Sequence, residues 1–350
     1  MTYLPLNFTI ELTMYTLNDY CRETFGEKLY KISLNGGFTC PNRDGTLGSR
    51  GCIFCSAGGS GDFAEDPHAS IAAQIEAGKK KVEKKMKSDG HYIAYFQAYT
   101  NTYAPLEKLE ALFTAAISHP DVRVLSVATR PDCLPEETVA LLARLNRIKP
   151  VWVELGLQTI HEESARYIRR GYPLAVYEDA LRRLKEAGLT VITHVILGLP
   201  GETREDMLET IKYLAKGIPS VCAKSLPADP KTAVPNLQAA RLPQSISEAS
   251  HFRTDGIKLQ LLHVLKNTDL AKDYLAGRFS VMTLEEYLPL LADCVRRLPP
   301  DMVVHRITGD GPKNLLLAPL WTGNKRLVLN AITRYFKEEQ VQQGELFPAN

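Results

Sequence analysis

Cys40, Cys52 and Cys55 lie in one glycine-bounded stretch, with eleven residues between the first two and two between the last two. Thiolates this close together bind soft metals, either as an iron–sulfur cluster or as a zinc site. A four-iron cluster ordinarily takes four thiolates, so three would leave one iron open to an exchangeable ligand, and that opening would make the cluster a reagent. Zinc competes, because Cys-x2-Cys is also a zinc signature. It would need a fourth ligand, and no second Cys-x2-Cys or histidine pair follows. The nearest following histidine, His68, sits in Asp66-Pro67-His68 at an expected helix start, where a lone histidine is ordinarily solvated. The balance favours iron and sulfur.

The elements that must position these thiols alternate. Apolar, often β-branched runs at Tyr30–Leu34, Tyr92–Phe96, Val122–Val127, Val151–Leu155, Val191–Leu197 and Ile257–Leu262 read as parallel strands covered on both faces. Amphipathic helices separate them. Pro135 with Glu136 and Glu137 opens one, Leu174, Tyr177, Leu181 and Leu184 line another that Gly188 ends, and Thr203 with Asp206 caps a third. Such alternation permits an open doubly wound sheet or a barrel. In both, chemistry belongs to the loops after the strands, and Cys40 follows the first strand. No Gly-x-Gly-x-x-Gly follows that strand, which weakens a dinucleotide reading.

The stretch Asn35-Gly36-Gly37-Phe38-Thr39-Cys40-Pro41-Asn42-Arg43-Asp44-Gly45, continued by Gly51-Cys52-Ile53-Phe54-Cys55, resembles the cluster loop of radical S-adenosylmethionine (SAM) enzymes. It is most similar to the YhcC/YtqA-type family, related to the radical SAM domain of the elongator catalytic subunit. The resemblance decides for an α/β partial (βα)6 TIM-like barrel with a small C-terminal α/β extension. It implies one [4Fe-4S] cluster on Cys40, Cys52 and Cys55, with SAM at the open iron. Reductive cleavage of SAM would give methionine and a 5′-deoxyadenosyl radical that abstracts hydrogen from substrate.

It also places the SAM contacts. After the second strand, Gln97, Thr100 and Asn101 stand where many relatives carry a glycine-rich turn for the ammonium. Ala128-Thr129-Arg130-Pro131-Asp132-Cys133 is similar to the Thr-Arg-Pro-Asp of elongator relatives, implicating Thr129 and Arg130, with Cys133 a weaker candidate hydrogen donor. Arg130 has the modest alternative of an internal ion pair with Asp132 or Glu154. A Gly-x-Gln like that of oxygen-independent porphyrinogen oxidases implicates Gln158 and Arg170, with Glu154 a neighbour and Arg169 an alternative partner. The Gly-Leu-Pro-Gly-Glu turn brings in Gly198, and His194 lies where relatives carry a ribose-binding polar residue.

Composition bounds the rest. The chain has 350 residues, 45% apolar, enough for one large α/β domain and a smaller extension. A net charge of +2 means that any nucleic-acid contact must come from a local patch. Seven cysteines, with Cys21, Cys133, Cys222 and Cys294 isolated, make no disulfide framework and fit a reduced cytoplasm. No apolar run reaches transmembrane length, and the first residues lack the order of a signal peptide. The expected organisation is a lead-in at 1–28, a barrel at 29–266 with a proline-rich loop insertion at 219–254, an extension at 267–339 and a frayed tail at 340–350. Lysines 79–81, 84, 85 and 87 read as a solvated helix face.

The expected partners are tRNA, through a wobble-uridine modification that the family implies, and a reductant such as flavodoxin or ferredoxin. Lys313, Trp321, Lys325 and Arg326 are the candidate RNA contacts, with capping of the barrel edge as their ordinary alternative. A radical SAM enzyme acting on a small metabolite or peptide, and a metal-cluster binding module without turnover, are the competing functions.

Overall fold

The computed structural model describes residues 13–83, 90–219, 251–309 and 311–348. Seven strands form one wholly parallel sheet in sequence order: β1 (Tyr30–Leu34), β2 (Tyr92–Phe96), β3 (Val122–Thr129), β4 (Val151–Gln158), β5 (Thr190–Leu197), β6 (Gly256–Leu261) and β7 (Val303–Arg306). Ten α-helices accompany it among the described residues: α1 (Leu17–Phe25), α2 (Ile71–Glu83), α3 (Leu106–Ile117), α4 (Glu136–Asn146), α5 (Glu162–Tyr167), α6 (Leu174–Glu186), α7 (Arg204–Lys216), α8 (Asp269–Leu275), α9 (Leu284–Arg297) and α10 (Lys325–Glu338). The sheet curls into a half-barrel with helices outside. Six strands were expected in the barrel, and the seventh comes from the C-terminal extension, pairing Val303 with Gly256. The helix ends follow the sequence signals: Thr203 and Asp206 form a capping box, and Gly188 adopts a left-handed φ of 71°.

Period-two alternation sorts each strand into two faces. Ile32, Ala94, Val127, Val153, Val191 and Leu259 point outward into the main core under the helices. The inward side chains stack in tiers. Lowest is an apolar tier of Ile93, Val124, Trp152 and Ile192, closed from below by Leu17, Tyr20, Cys21 and Phe25 of α1. Above it, Lys31, Tyr95, Ser126, Glu154, His194 and Lys258 make a polar tier joined by hydrogen bonds. Strand tilt sets the stagger: Glu154 is the register partner of Ala128, yet its side chain meets Ser126, two residues earlier. With the bottom plugged, the interior opens toward the strands' C-terminal ends.

One expectation changes. The tail from Val341 to Phe347 is docked: Val341 is buried, and Gln343 Nε2 donates to the Pro299 and Met302 carbonyls at 2.6 and 2.8 Å. Gln343 Oε1 also accepts from Tyr15 N at 2.9 Å, so the tail holds the start of the described chain. Fraying was expected from polar composition, which carries no record of these carbonyl partners. For the insertion, only its flanks lie among the described residues. Ile218–Pro219 pairs antiparallel with His251–Phe252 at the strands' N-terminal end, opposite the cysteine loop. Residues 220–250 with Cys222, and Lys84, Lys85 and Lys87, lie outside the described residues.

Candidate active site

The loop after β1 carries the three cysteines around one cavity at the top of the half-barrel. A turn closes on Cys40, whose carbonyl accepts from Arg43 N at 2.8 Å, and Thr100 N donates to Thr39 O at 3.2 Å, tying the loop to the end of β2. Ile53 N donates to Ile168 O at 3.2 Å, fixing Cys52 and Cys55 against the segment after α5. Asn42 Nδ2 donates to Arg169 O at 2.7 Å and approaches Cys52 Sγ at 3.4 Å. Arg43 Nη2 holds the Ser56 and Cys55 carbonyls at 2.5 and 3.3 Å. Gly51 suits its place: its φ is 74°, where a side chain would be strained, and a Cβ there would stand 2.9 Å from Arg43 Nε and push that guanidinium off the loop carbonyls.

The thiols themselves are poised unequally. A hydrogen bond from Cys55 pulls the Cys52 thiol down to about 6, with Arg130, Asn42 and Arg43 adding to it against burial. The same shared proton and burial hold Cys55 well above the ordinary thiol range. Thiolates are what a cluster requires, and the positive neighbours favour them. His68 is exposed and does not line this cavity, and the two groups of His, Cys, Asp and Glu side chains among the described residues whose ligand atoms lie close enough to share one metal ion include none of the three cysteines.

Most of the expected SAM contacts converge here. Gln97, Thr100, Thr129, Arg130, Glu154, Gln158, Arg170 and His194 all line the cavity with the cysteines. Their roles differ. Arg130 is bidentate to Asp132 at 2.9 and 2.7 Å, the modest alternative that the sequence allowed, while its guanidinium also lies 5.0 Å from the Tyr172 ring centroid. Arg170 is consumed by its own scaffold. Its Nε donates to Tyr172 O, its Nη1 to the Leu157 and Thr159 carbonyls, and its Nη2 to Glu162, so it shapes the tip of β4 rather than offering an open fork. Arg169 does not line the cavity, although its buried Nη1 has no protein partner. Gln158 sits at φ 67°, a left-handed backbone that a non-glycine residue adopts at a cost of about 1–3 kcal/mol and that aims its amide at the cavity.

Three candidates are not brought in. Asn101 is buried behind the rim, donating from Nδ2 to Ala128 O at 2.7 Å. Gly198 packs its N–H on Met207 Sδ at 3.0 Å, beside Met282 of the C-terminal extension. Cys133 lines a separate crevice with Pro41, Tyr103 and Leu134, and burial pushes its thiol up to about 12. That geometry removes it as a hydrogen donor into the cysteine cavity.

The polar tier forms the cavity floor. Glu154 Oε1 accepts from Lys31 Nζ and Ser126 Oγ, both at 2.8 Å, and Oε2 accepts from His194 Nε2 at 2.7 Å and from Lys258 Nζ. Burial alone would raise this carboxyl, but Lys258, Lys31 and the His194 hydrogen bond outweigh it and hold it well below the usual carboxylate range. Burial, with Lys258 nearby, pushes His194 down to about 4, so its ring is neutral. Nε2–H then faces Glu154, and Nδ1 accepts from Gln260 Nε2 at 3.3 Å. Tyr95, Tyr172, Lys258, Gln260 and Arg306 also line it and were not singled out from sequence. The alternation Lys258-Leu259-Gln260 between buried apolar neighbours was the available signal.

Cysteine loop and strand ends having met at one mouth, comparison with known proteins decides the family. The radical SAM superfamily model matches residues 43–214, and the radical SAM C-terminal domain model matches residues 254–338. An uncharacterized protein of Bacillus subtilis, YtqA, is 42% identical over 337 residues, covering 96% of this chain and 94% of its own. The chain belongs to the radical SAM superfamily. Protein YhcC of Escherichia coli is 35% identical over 323 residues, with 92% of each chain covered, so the membership extends to the YhcC/YtqA type. Elongator complex protein 3 of Schizosaccharomyces pombe is 27% identical over 209 residues, 59% of this chain and 32% of that protein. The solved structure of an archaeal Elp3 from Methanocaldococcus infernus superposes with a TM-score of 0.61 over 90% of this chain and 64% of its own, at 16% identity, and shows the shared fold. Radical SAM proteins use a [4Fe-4S] cluster with SAM. Among the described residues no helix is long and apolar enough to cross a membrane.

Proposed function

We propose that Cys40, Cys52 and Cys55 hold the cluster, that the rim of the half-barrel holds SAM, and that the substrate is a wobble uridine of tRNA bearing a carboxymethylaminomethyl-type side chain. The observation that carries the first two parts is the convergence of three cysteines and four strand ends on one cavity. The donor set fits the group: three thiols with cationic neighbours that favour the thiolate form of Cys52, in a cavity whose histidine and carboxylate, His194 and Glu154, are already bonded to each other. One-electron cleavage of SAM, yielding a carbon radical that takes a hydrogen atom from substrate, is the chemistry such a pair supplies when bound.

The chain's own residues orient and shield. Arg43 and Asn42 fix the loop that presents the thiols, and the aromatic ring of Tyr99 lies under the Arg43 guanidinium at 5.6 Å. Gln97, Thr100, Thr129 and Gln158 supply amides and hydroxyls at the rim for SAM's amino-acid end and ribose. His194, neutral and clamped between Glu154 and Gln260, offers a fixed ring edge to the cofactor's sugar or base. The apolar tier and α1 exclude water from below.

Support for tRNA is the similarity to the elongator subunit and the YhcC/YtqA-type loop. Exposed Lys313, Lys325 and Arg326 on the extension offer cations for phosphates. Trp321, in contrast, is packed: its Nε1 donates to Met282 O at 3.0 Å and its ring lies tilted against Tyr287, centroids 5.8 Å apart. It caps the barrel edge and is withdrawn as a base-stacking residue.

The test is anaerobic reconstitution followed by reductive turnover with SAM and tRNA from cells with and without the gene, with nucleosides separated by mass spectrometry. About four irons per chain, SAM cleavage lost in each of Cys40→Ala, Cys52→Ala and Cys55→Ala, and a changed wobble nucleoside are expected. Intact SAM cleavage without any altered nucleoside would replace tRNA by a small substrate. Intact cleavage in one cysteine variant would remove that residue from the ligand set.

A further inference from the structure

A second cavity, of about 1120 Å³, opens at the strands' N-terminal end, opposite the cysteine loop. That is ample for a small ligand. One wall is aromatic: the Trp152 ring meets Tyr20 edge-on with centroids 5.9 Å apart and His305 with centroids 5.4 Å apart. Gly256 of β6 leaves the room that His305 takes, since a Cβ there would stand 2.7 Å from His305 Cδ2. Two buried polar atoms of this wall have no protein partner among the described residues, the Trp152 indole Nε1–H and His305 Nδ1. Trp152 is only 1% exposed, so folding takes its donor away from bulk water and gives it no acceptor in return. Burial holds His305 well below the ordinary histidine range, so its ring is neutral and its Nδ1 accepts or donates according to tautomer. The lysines, arginines and aspartates of the lining pair off, with two exceptions. Lys185 bonds both oxygens of Asp255, at 2.6 and 2.7 Å, Arg253 pairs with Asp301, and Arg297 pairs with Asp293 beside the cavity. Lys212 and Lys216, exposed one turn apart on α7, have no acidic partner among the described residues.

We propose that this cavity binds a nucleoside phosphate, with the base against the Tyr20–Trp152–His305 wall, its edge on Trp152 Nε1–H and His305 Nδ1, and the phosphate on Lys212 and Lys216. The indole only donates, while the neutral imidazole takes whichever role its neighbour leaves open. A nucleobase edge carries an acceptor and a donor side by side, which an inorganic anion or an aliphatic acid does not. Aromatic rings are sequence-tolerant platforms for a planar base, and two unpaired ammonium groups one helical turn apart are point charges suited to a phosphate. None of the lining residues is shared with the cysteine cavity, so the proposal stands independently of the SAM reading. The same chemistry comes from a free nucleotide or from an unpaired nucleotide of RNA.

The experiment titrates the anaerobic, cluster-loaded protein by calorimetry with AMP, GMP and UMP, with the matching nucleosides and with inorganic phosphate. At least one nucleotide should bind, about tenfold or more tightly than its nucleoside and than phosphate, the span of a charge-assisted contact. Lys212→Ala with Lys216→Ala should erase the advantage over the nucleoside and leave SAM cleavage within about twofold of wild type. Trp152→Phe keeps a ring and removes the N–H, and should weaken nucleotide and nucleoside alike by about two- to tenfold; the exposed lysine pair decides the matter if that variant does not fold. The chain has two tryptophans, so in Trp321→Phe the emission of Trp152 alone should change on binding. Binding of no nucleotide overturns the proposal. Phosphate bound as tightly as nucleotide, or nucleotide affinity unmoved by both the lysine pair and Trp152→Phe, overturns it as well. Binding that appears only once residues 1–12 or 220–250 are removed also overturns it, because the chain then fills the cavity itself. Displacement of the bound nucleotide by tRNA upholds the site and assigns it to RNA, whereas nucleotide retained in excess tRNA upholds it for a free nucleotide.

Discussion

Replacing Glu154 by glutamine keeps the shape of the floor and removes its only negative charge. The carboxylate is fully buried and bonded to Lys31 at 2.8 Å and to Lys258, so Glu154→Gln leaves two interior cations without a counter-charge. Removing one partner of a buried ion pair costs about 3–5 kcal/mol. The lower end applies, because the amide oxygen still accepts from Lys31 and Ser126, and Lys258, already depressed by burial, can give up its proton. At about 2–4 °C per kcal/mol for a chain of this class, a loss of ~3 kcal/mol lowers Tm by roughly 6–12 °C at pH 7. Acid reverses the gap. A carboxyl whose folded pKa lies below its unfolded value, near 4.5, stabilises fully above that value, and the contribution is lost as pH falls through the folded pKa. The difference in Tm between wild type and Glu154→Gln should therefore hold steady above about pH 6 and shrink below about pH 4.5. Differential scanning fluorimetry of anaerobically purified protein across that range is the assay. A variant melting with wild type at neutral pH, or a gap that widens with acid, would refute the ionic account of the tier.

Tyr172→Phe removes the hydroxyl that donates to Gly156 O; at about 0.5–1.5 kcal/mol for one hydrogen bond it should lower Tm slightly and weaken SAM binding several-fold by calorimetry. Unchanged SAM affinity would detach Tyr172 from the rim. Lys325→Ala and Arg326→Ala should each lower the salt slope of tRNA binding by about one if each meets a phosphate, whereas Trp321→Ala should lower Tm and leave that slope alone. Gln343→Ala frees two carbonyls and the Tyr15 N–H, costing about 1–3 kcal/mol, and should expose the C-terminal tail to carboxypeptidase, read by intact mass.

The parts of the molecule that were legible are those that depend on local spacing. The strands' apolar runs, the Thr203–Asp206 cap, the Gly188 stop and the cysteine loop are each written within a few residues, and each appears where it was expected. What escaped depends on which residues meet across the curled sheet. Lys31 and Glu154 lie 123 residues apart and meet because strand tilt staggers the inner faces, a quantity that no single segment carries. Arg170 looked like a cofactor ligand because its type and place fit; its guanidinium turned out to be spent on the Leu157, Thr159 and Tyr172 carbonyls, whose positions depend on the bend after β4. Trp321 misled in the same way, since an aromatic beside cations reads alike whether its face is solvated or packed on Tyr287. Lys258 and Gln260 were visible as polar residues in an apolar strand, and their period of two already marked an inner face.

The sheet is an arc whose end strands, β1 and β7, make no ladder with each other. A closed cylinder of strands has a fixed radius, because widening it means breaking or sliding a ladder somewhere on the circumference. An arc has no such constraint: its two ends can spread or approach with every backbone ladder intact, at the expense of side-chain contacts, among them the Lys31–Glu154–Lys258 bonds that tie β1 to β6 across the interior. The two ends are unlike. Beyond β1 hangs the thiol loop; at the other extreme stand Lys258 and Arg306. A small change in curvature thus alters the separation between the redox end and the cationic end of the same chamber, and gives the fold an adjustable jaw whose hinge is the unbroken middle of the sheet.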